Sequence, residues 1–443
     1  MKRMRILMTA ALVVVLLLPT MVSAQGSGIT WNSGFQVQNL ENAQASINIM
    51  YYDQTGAEVI PGSKTYATIH PSGTFNGSVV ISSDKHVVAI ANLLASGALS
   101  AGSATNSFSA GAMEINLPLI MRGNYGFNTW FNVQNTGTSS TNVTVTYNPG
   151  TAGNSGVTET ATIPAGAAKT FDQETNTALG SRFVGSAVVT SDSQAIVATV
   201  QQVGTGDTKT LLGYNGFTSG SPRVVVPLIT ANNFGYWTGI QVQNVGATTA
   251  NVTVTYGPNT VGAFTPTPES APVAPGASYT FKQSGGQWGS NRYVGSATIT
   301  NAEGQPLVAI VNQLKSGDLN FGTAYEGFDP DAATSNVSAP LVVANNYGYF
   351  TGIQVQNVSG ADPCNVTVTY SANTVPGMGT PTPETANIAT GASSTFKQTG
   401  GQWTARYVGS ATITGSGCSI VAIVNNLKQT ENDQFLTYNG FNY

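Results

Sequence analysis

The hydrophobic positions along this chain follow a two-residue rhythm that recurs in four similar stretches. In one of them, residues 240–243 read Ile-Gln-Val-Gln and residues 252–255 read Val-Thr-Val-Thr, so apolar and polar side chains alternate. Because successive side chains of a strand point to opposite faces, this alternation predicts two β-strands, each with one buried face. Residues 245–250 between them are small or turn-forming, and no helical spacing of apolar residues interrupts the pattern.

The four copies set the length of the repeating unit. They begin at Trp31, Phe127, Tyr236 and Tyr349. One asparagine is common to all four copies and recurs at positions 39, 135, 244 and 357. This spacing matches a β-sandwich domain of about 100 residues, not a solenoid repeat of about 20 to 50 residues. Each copy is therefore expected to have a hydrophobic core of its own.

Each copy continues in the same order to a shared closing phrase. A variable segment, a glycine-containing turn and further apolar strands lead to Tyr-Asn-Gly-Phe or Tyr-Glu-Gly-Phe at 214–217, 325–328 and 438–441. Short strands separated by frequent turns are typical of an immunoglobulin-like or fibronectin-like sandwich. We therefore expect an all-β fold of four tandem Ig-like antiparallel β-sandwich domains, extended like beads on a short string. Their predicted bounds are 25–114, 115–218, 219–332 and 333–443.

Short proline-containing stretches precede the second, third and fourth copies. They lie at 116–120, 225–229 and 339–343, and each holds one proline among mostly apolar residues. Because proline cannot donate to a strand ladder, these stretches are predicted to be edge strands that join the next sheet or bridge two repeats. The first copy, at 25–114, lacks this lead-in strand. Its sheet either presents an open edge that accepts a strand from another chain, or acts as a cap with a short edge.

The segment before Gln25 differs from the rest of the chain. Lys2, Arg3 and Arg5 precede an apolar run at 6–18, and small residues follow at 23–24. This order predicts a signal peptide, at 1–24, that is cleaved before Gln25, and therefore a secreted protein. The alternative is a retained membrane anchor, but the apolar run is shorter than the roughly 20 residues that a span needs.

The low charge content of the chain limits the classes of partner that the protein could bind. Charged residues make up 8% of the chain, against about 25% in ordinary soluble proteins. The net charge of −4 becomes −7 when the three basic residues of the leader are removed. A charge-poor, acidic chain lacks the basic patches that nucleic acids and anionic membranes require, so we expect neither as a partner. The sequence has no second long apolar segment, so we expect no membrane span after the leader is cleaved.

Two cysteines, Cys364 and Cys418, both lie in the fourth copy. In an exported protein they are expected to form a disulfide, and two buried free thiols are the alternative. Ala250 and Gln305 occupy the aligned positions of the third copy. The fold should therefore not require the bridge.

Side chains that could carry catalysis are scarce. The two histidines, His70 and His86, both fall in the first copy, and the 20 acidic residues are scattered along the chain. A nucleophile–histidine arrangement or a pair of catalytic carboxylates is therefore not expected, and the sequence predicts neither an enzyme nor a cofactor. Asp329 and Asp331, at the joint before the fourth copy, could contribute oxygen ligands to a Ca²⁺ site, although a solvated turn is the favoured explanation.

Aromatic residues are the candidate ligand-binding residues. Trp288 and Trp403 occur in matching Gly-Gly-Gln-Trp loops, where an exposed indole could stack on a sugar and a buried one would close the end of its own sandwich. Trp237, Tyr236 and Tyr349 lie at the starts of their copies. Each could be exposed to a ligand or buried at the end of its own sandwich, and burial is favoured. The other aromatic residues at these openings are Tyr125, Phe127, Trp130, Phe234, Tyr347 and Phe350.

The recurring phrases at 239–244, 251–256, 292–300 and 308–313 resemble those of tandem Ig-like or fibronectin-III-like β-sandwich repeats in bacterial secreted and cell-surface proteins. The resemblance implies a structural or adhesive role outside the cell. We therefore expect a structural component of a surface layer, sheath, filament or stalk. Its partners would be neighbouring copies of itself, other cell-surface components or glycans. The alternative function is a carbohydrate-binding adhesin that uses exposed loop aromatics.

Overall fold

Strands and four short 3-10 helices make up the regular structure of the described residues. In this computed structural model those residues are 12–17, 29–58, 77–204, 209–315, 321–428 and 435–443. The 3-10 helices are Thr177–Leu179, Gly286–Trp288, Pro330–Ala332 and Gly401–Thr404. The prediction of an all-β protein is confirmed. No helix in these ranges has the length and apolar character needed to cross a bilayer.

The first repeat forms two three-stranded antiparallel sheets, with the orders β1-β4-β3 and β2-β5-β6. Its strands are β1 Leu12–Leu17, β2 Ile29–Asn39, β3 Ile47–Asp53, β4 Gly77–Ser83, β5 Val87–Gly97 and β6 Ala101–Asn106. The predicted turn histidine His86 lies directly before β5. His70 lies outside the described residues.

The second repeat forms two four-stranded antiparallel sheets, with the orders β10-β9-β12-β7 and β11-β8-β13-β14. Its strands are β7 Glu114–Arg122, β8 Phe127–Asn135, β9 Thr141–Ala152, β10 Thr158–Ile163, β11 Ala168–Asp172, β12 Phe183–Ser191, β13 Ile196–Gly204 and β14 Leu211–Asn215.

The third repeat has the same topology, with the sheet orders β15-β20-β17-β18 and β19-β16-β21-β22. Its strands are β15 Arg223–Ala231, β16 Tyr236–Asn244, β17 Ala250–Tyr256, β18 Glu269–Val273, β19 Ser278–Lys282, β20 Tyr293–Asn301, β21 Leu307–Lys315 and β22 Gly322–Glu326.

In the fourth repeat two long strands run through both layers, so its strands form one seven-stranded sheet. The strands are β23 Asn336–Ala344, β24 Tyr349–Tyr370, β25 Glu384–Ile388, β26 Ser393–Lys397, β27 Tyr407–Lys428, β28 Phe435–Asn439 and β29 Phe441–Asn442. The predicted disulfide between Cys364 and Cys418 is confirmed, and it joins β24 to β27 inside the hydrophobic core.

The two-residue rhythm places the core where the sequence predicts it. Along β9, Val143, Val145 and Tyr147 are buried while the residues between them are wholly or partly exposed. On β13 every residue from Ile196 to Gly204 is buried, as expected for a central strand that is covered on both faces. The sandwich-like layers of the second repeat enclose these side chains.

The proline-containing strands β7 and β15 lie at the edges of their sheets, as predicted, whereas the edge prediction is wrong for β23, which lies between β27 and the short strand β29. β7, β15 and β23 each pair with a strand of the repeat that they begin, and the register of each pairing shifts next to the proline. The proline therefore sits where a regular ladder bond is not required. In the first repeat the corresponding place is taken by β1, which comes from inside the predicted leader and pairs with β4. Cleavage before Gln25 would remove β1, so the open edge of the first repeat stays a prediction for the cleaved chain.

Four equivalent strands, one from each repeat, meet in a closed ring, and we call them the closing strands: β6, β14, β22 and β28. At their ends lie Asn106, Asn215, Glu326 and Asn439, which occupy equivalent positions. Asn106 donates from Nδ2 to the carbonyl of Asn439 at 2.7 Å, and the Asn439 amide donates back to Oδ1 at 2.9 Å. Asn439 makes the same pair of bonds with the backbone of Glu326, at 2.8 and 3.2 Å. Asn215 completes the ring by donating to the Asn106 carbonyl at 2.8 Å and, from its amide, to Glu326.

This ring contradicts the expectation of extended beads on a string. Direct bonds between Asn106 and Asn439 join the first repeat to the fourth, which a linear arrangement would keep far apart. Apolar contacts reinforce the closure, because Leu436 of the fourth repeat packs in one cluster with Ile90 and Ala104 of the first. The described repeats therefore form one connected body.

A second set of hydrogen bonds links consecutive repeats at their sides. Ser78, Ser186 and Ser296 occupy equivalent strand positions, and each hydroxyl donates to a turn glycine carbonyl of the next repeat. The acceptors are Gly166, Gly276 and Gly391. The same contact at three joints shows that successive repeats are related by similar rotations.

Candidate functional site

Two-residue turns connect the first two strands of the second, third and fourth repeats. In the second repeat Asn124 and Phe127 exchange two backbone hydrogen bonds of 2.9 Å around Tyr125 and Gly126. Both central residues have positive φ, 50° for Tyr125 and 84° for Gly126. This geometry is that of a type I′ turn, whose twist matches the flanking strands.

An aromatic residue occupies the first central position of each turn. Tyr125, Phe234 and Tyr347 have φ angles of 50°, 53° and 52°, where asparagine, aspartate or glycine is the usual residue. Their side chains are 80%, 78% and 75% exposed. Burial was the favoured expectation for the opening aromatics, and it is wrong for these three, because the left-handed backbone of the turn directs the ring away from the sheets.

An arginine accompanies each of these rings. The guanidinium carbons of Arg182, Arg292 and Arg406 lie 4.7, 4.6 and 4.4 Å from the centroids of Tyr125, Phe234 and Tyr347. Each arginine Nε also donates to the turn asparagine, at 3.0, 2.9 and 2.8 Å. We call these three aromatic–arginine pairs the aromatic tips. Each presents a flat ring and a fixed cation together, a combination suited to stacking and hydrogen bonding.

Trp288 and Trp403 do not form such a surface. They are 1% and 3% exposed. Trp288 packs edge-on against Tyr256 at 4.8 Å between centroids, and Trp403 against Tyr370 at 4.7 Å. The proposal that these indoles are exposed for stacking on a sugar is therefore corrected: the 3-10 turn in each Gly-Gly-Gln-Trp loop turns the indole into the end of its own sandwich.

Tyr236, Tyr349 and Trp237 are partly buried and lie close to lysines. The Nζ atom of Lys315 is 6.0 Å from the Tyr236 ring centroid, and that of Lys428 is 5.6 Å from the Tyr349 centroid. Lys282 lies 4.8 Å from the Trp237 centroid. Tyr236 also packs edge-on against Phe435 of the fourth repeat, with 5.9 Å between centroids.

Tyr236 and Tyr349 line a cleft between the third and fourth repeats. Its volume is about 1210 Å³, and it is lined by six aromatic residues, four cations and ten neutral polar residues. The cations are Arg292, Lys315, Lys397 and Lys428. No carboxylate is found among its described lining residues. We call this feature the inter-repeat cleft.

Partly buried glutamates form hydrogen-bonded pairs with tyrosines in the second, third and fourth repeats. Tyr147 donates to Glu159 at 2.6 Å, and Tyr256 and Tyr370 donate to equivalent glutamates. Burial, assisted by the neighbouring carboxylate, raises the pKa of Tyr147 far above its ordinary value. At the ring of closing strands, burial raises the pKa of Glu326 to about 7.

Asp329 and Asp331 lie in the 3-10 turn before the fourth repeat. Asp329 Oδ1 accepts hydrogen bonds from the Asp331 amide and from the Ser221 hydroxyl, both at 3.0 Å. Asp329 therefore caps the short helix Pro330–Ala332. Within the described residues, no group of three or more histidine, cysteine, aspartate or glutamate side chains could hold a metal ion.

Comparison with known proteins gives little similarity. No protein-family model matches the chain, and no curated protein is similar to it. A solved structure described as the crystal structure of Thermotoga maritima 1070 is similar at 17% identity, with a TM-score of 0.21. That match covers 24% of this chain and 94% of the other. It does not define a family for this protein.

Proposed function

We propose that the protein is a secreted, non-enzymatic component of the cell exterior that binds carbohydrate polymers through its aromatic tips. In this proposal the four repeats are Ig-like sandwich domains with the bounds 25–114, 115–218, 219–332 and 333–443. The interiors of the repeats serve stability, and binding takes place at the surface.

The observation that carries this proposal is the threefold occurrence of an exposed aromatic ring in a left-handed turn. A non-glycine residue at positive φ costs about 1–3 kcal/mol, and a bulky ring gains nothing from burial when it is 75–80% exposed. Asparagine would fit the same turn with less strain. Three repeats keep the costly residue together with its arginine. Such strain at an exposed position is typical of a binding function.

Carbohydrate is the ligand class that these tips fit best. A flat ring face offers a stacking surface to the apolar face of a sugar, while the arginine offers hydrogen bonds to its hydroxyl groups. Because the tips belong to one connected body, a polymer with repeating units could engage more than one of them. Linked contacts of this kind raise the overall affinity by roughly 10²–10⁴ when the geometry allows simultaneous binding.

The test is co-sedimentation with insoluble cell-wall polysaccharide. The variant combines Tyr125→Asn, Phe234→Asn and Tyr347→Asn, because asparagine suits the turn and removes only the ring. We expect the wild-type protein to sediment with the polymer and the triple variant to stay in solution. The matched control is Tyr279→Asn, which removes an exposed tyrosine from β19 instead of a turn. Equal binding by the wild-type protein and the triple variant would refute the proposal.

A second candidate function is a structural role through self-association. The observation that favours it is the low charge of the chain, because few charged groups would need to be desolvated or would repel one another in a contact between copies. Sedimentation velocity over a hundredfold range of concentration measures this directly. Larger species that grow with concentration would support assembly, and a monomer throughout would rule it out.

A further inference from the structure

We propose that the inter-repeat cleft binds an acidic oligosaccharide. This inference rests on the proposed function for carbohydrate as the ligand class, and it adds a second site with a charge requirement. The cleft lies between the third and fourth repeats, and Tyr125 and Tyr347 are not among its lining residues. Phe234 and Arg292, which form the tip of the third repeat, do line it.

The cations of the cleft define the charge of the ligand. Lys315 and Lys428 are half-buried, and Lys397 is exposed. Among the described residues the one ion pair is between Lys85 and Glu41, in the first repeat. The cleft therefore concentrates positive charge in a protein whose net charge is −4, so the local charge is not a general property of the surface. Cations that converge on one cavity attract an anion and fix its position.

The aromatic residues of the cleft favour a ligand with a flat surface. The Nζ atom of Lys315 lies 4.8 Å from the centroid of Phe321 and 6.0 Å from that of Tyr236, and Lys428 lies beside Tyr349. The cations are thus interleaved with rings on which a flat ligand surface can rest. A simple inorganic anion would use the cations and leave the rings without a contact.

The neutral polar residues of the cleft favour a ligand with many hydroxyl groups. Ten of its lining side chains are serine, threonine, asparagine or glutamine. Ser394 is partly buried and Thr399 is exposed among them, and a hydroxyl group can donate as well as accept hydrogen bonds. A cavity of about 1210 Å³ exceeds the roughly 300–1,000 Å³ of ordinary small-molecule sites. Hydroxyl groups, ring faces and negative charge occur together in a uronic-acid oligosaccharide.

Calorimetric titration with tetragalacturonate tests this inference, and its methyl ester is the matched neutral probe. We expect the acid to bind and the ester to bind at least about tenfold more weakly, because esterification removes the charge and keeps the rings. Lys428→Gln and Lys397→Gln should each weaken binding of the acid by about tenfold. Lys169→Gln should leave it unchanged, since Lys169 is an exposed lysine of β11 in the second repeat and belongs neither to the cleft nor to a tip. Unchanged melting temperatures of the lysine variants would show that they remain folded.

The outcomes separate this inference from the proposed function. Failure of tetragalacturonate to bind, equal binding of acid and ester, or full binding by both lysine variants would overturn the cleft assignment. If the polymer test of the tips still succeeds, the proposed function stands without the cleft. If tetragalacturonate binds but the triple tip variant still sediments with polymer, the cleft stands and the tips do not.

Discussion

Two sets of aromatic residues in glycine-containing loops have opposite positions in this molecule. Trp288 and Trp403 follow Gly-Gly-Gln and are 1% and 3% exposed, whereas Tyr125, Phe234 and Tyr347 precede glycine and are at least 75% exposed. The first set lies in a 3-10 turn that directs the indole inward. The second occupies a left-handed turn that directs the ring outward. The local backbone, not the residue type, decides which aromatic stabilises the fold and which is available to a ligand.

The difference also divides the molecule by role. Inward-facing aromatics pack in edge-on groups, as Trp403 does with Tyr370 and Tyr407 at 4.7 and 5.6 Å between centroids. Outward-facing ones each have an arginine as a ring partner. Substitutions of the inner set should therefore change stability, and those of the outer set should change binding. The four predictions that follow test this division, beginning with the largest effect.

Trp403→Ala should cause the largest loss of stability, about 3–5 kcal/mol, because it removes a buried indole and leaves a cavity. Guanidinium unfolding followed by circular dichroism would report the change. Trp403→Phe is the control, since it keeps part of the packing and should cost clearly less. If Trp403→Ala unfolds like the wild-type protein, the indole does not close the fourth repeat and the division fails.

Glu326→Gln should change the pH dependence of stability. The pKa of Glu326 is about 7 in the folded protein and the ordinary value is 4.5. Between pH 4.5 and 7 the folded state therefore retains a proton that the unfolded state has lost. The free energy of unfolding should therefore fall as pH rises from about 4.5 to about 7, by at most about 3 kcal/mol from this group. Above pH 7 the folded protein bears the full cost of the buried charge.

Thermal unfolding from pH 4.5 to 8.5 measures this effect. Glu326→Gln should be more stable than the wild-type protein at pH 8 and should lose much of the decline between pH 4.5 and 7. Glu41→Gln, which changes an exposed carboxyl group of the first repeat, is the control. Identical profiles for Glu326→Gln and the wild-type protein would mean that the ring of closing strands does not bury this carboxyl group.

Tyr214→Phe should cost about 1–3 kcal/mol. The Tyr214 hydroxyl is buried and donates to the Leu119 carbonyl at 2.7 Å while it accepts from the Leu119 amide at 3.2 Å. Removal of the hydroxyl leaves both backbone groups without this partner. Tyr279→Phe, at a tyrosine that is 42% exposed, should have no effect under the same conditions. Equal stability of the two variants would contradict the interior role of the closing phrase.

Tyr347→Asn should have the smallest effect on stability. Asparagine relieves the strain of the left-handed turn, while the cation–π contact with Arg406, worth about 0.5–1 kcal/mol at an exposed site, is lost. We expect a melting temperature within about 2 °C of the wild-type value, together with weaker polysaccharide binding. A large loss of stability would show that this ring belongs to the inner set.

Local pattern was sufficient to predict the strands and two of the edges. Alternation such as that of Val143 and Val145 specifies both a strand and its buried face, and proline marks the edge strands β7 and β15. The pairing of β23 with β29 could not be predicted in this way, because β29 lies about 100 residues later in the chain. The disulfide could be predicted because one pair of cysteines was present. These features depend on residues that are close in sequence or unique in type.

Closure of the repeats could not be predicted in the same way. Asn106 and Asn439 are far apart in the sequence, and the phrase Tyr-Asn-Gly-Phe reads as a turn when it is viewed alone. The aromatic tips did carry a usable signal. Asparagine–aromatic–glycine between two alternating segments, at 124–126, 233–235 and 346–348, has the length of a two-residue hairpin loop. Asparagine is the usual residue at the first central position of such a loop, so an aromatic residue there makes the hairpin harder to recognise from the sequence.

Small-angle scattering of the full chain at low concentration tests the closed arrangement most directly. The cleft and the binding of one polymer by several tips both depend on this arrangement. A compact chain of this length should have a radius of gyration of about 22 Å. Four sandwiches in a line, each with a radius of gyration of about 13 Å, would give roughly 40 Å. The closed ring predicts a value close to that of the compact chain, and a value close to that of the linear arrangement would contradict it.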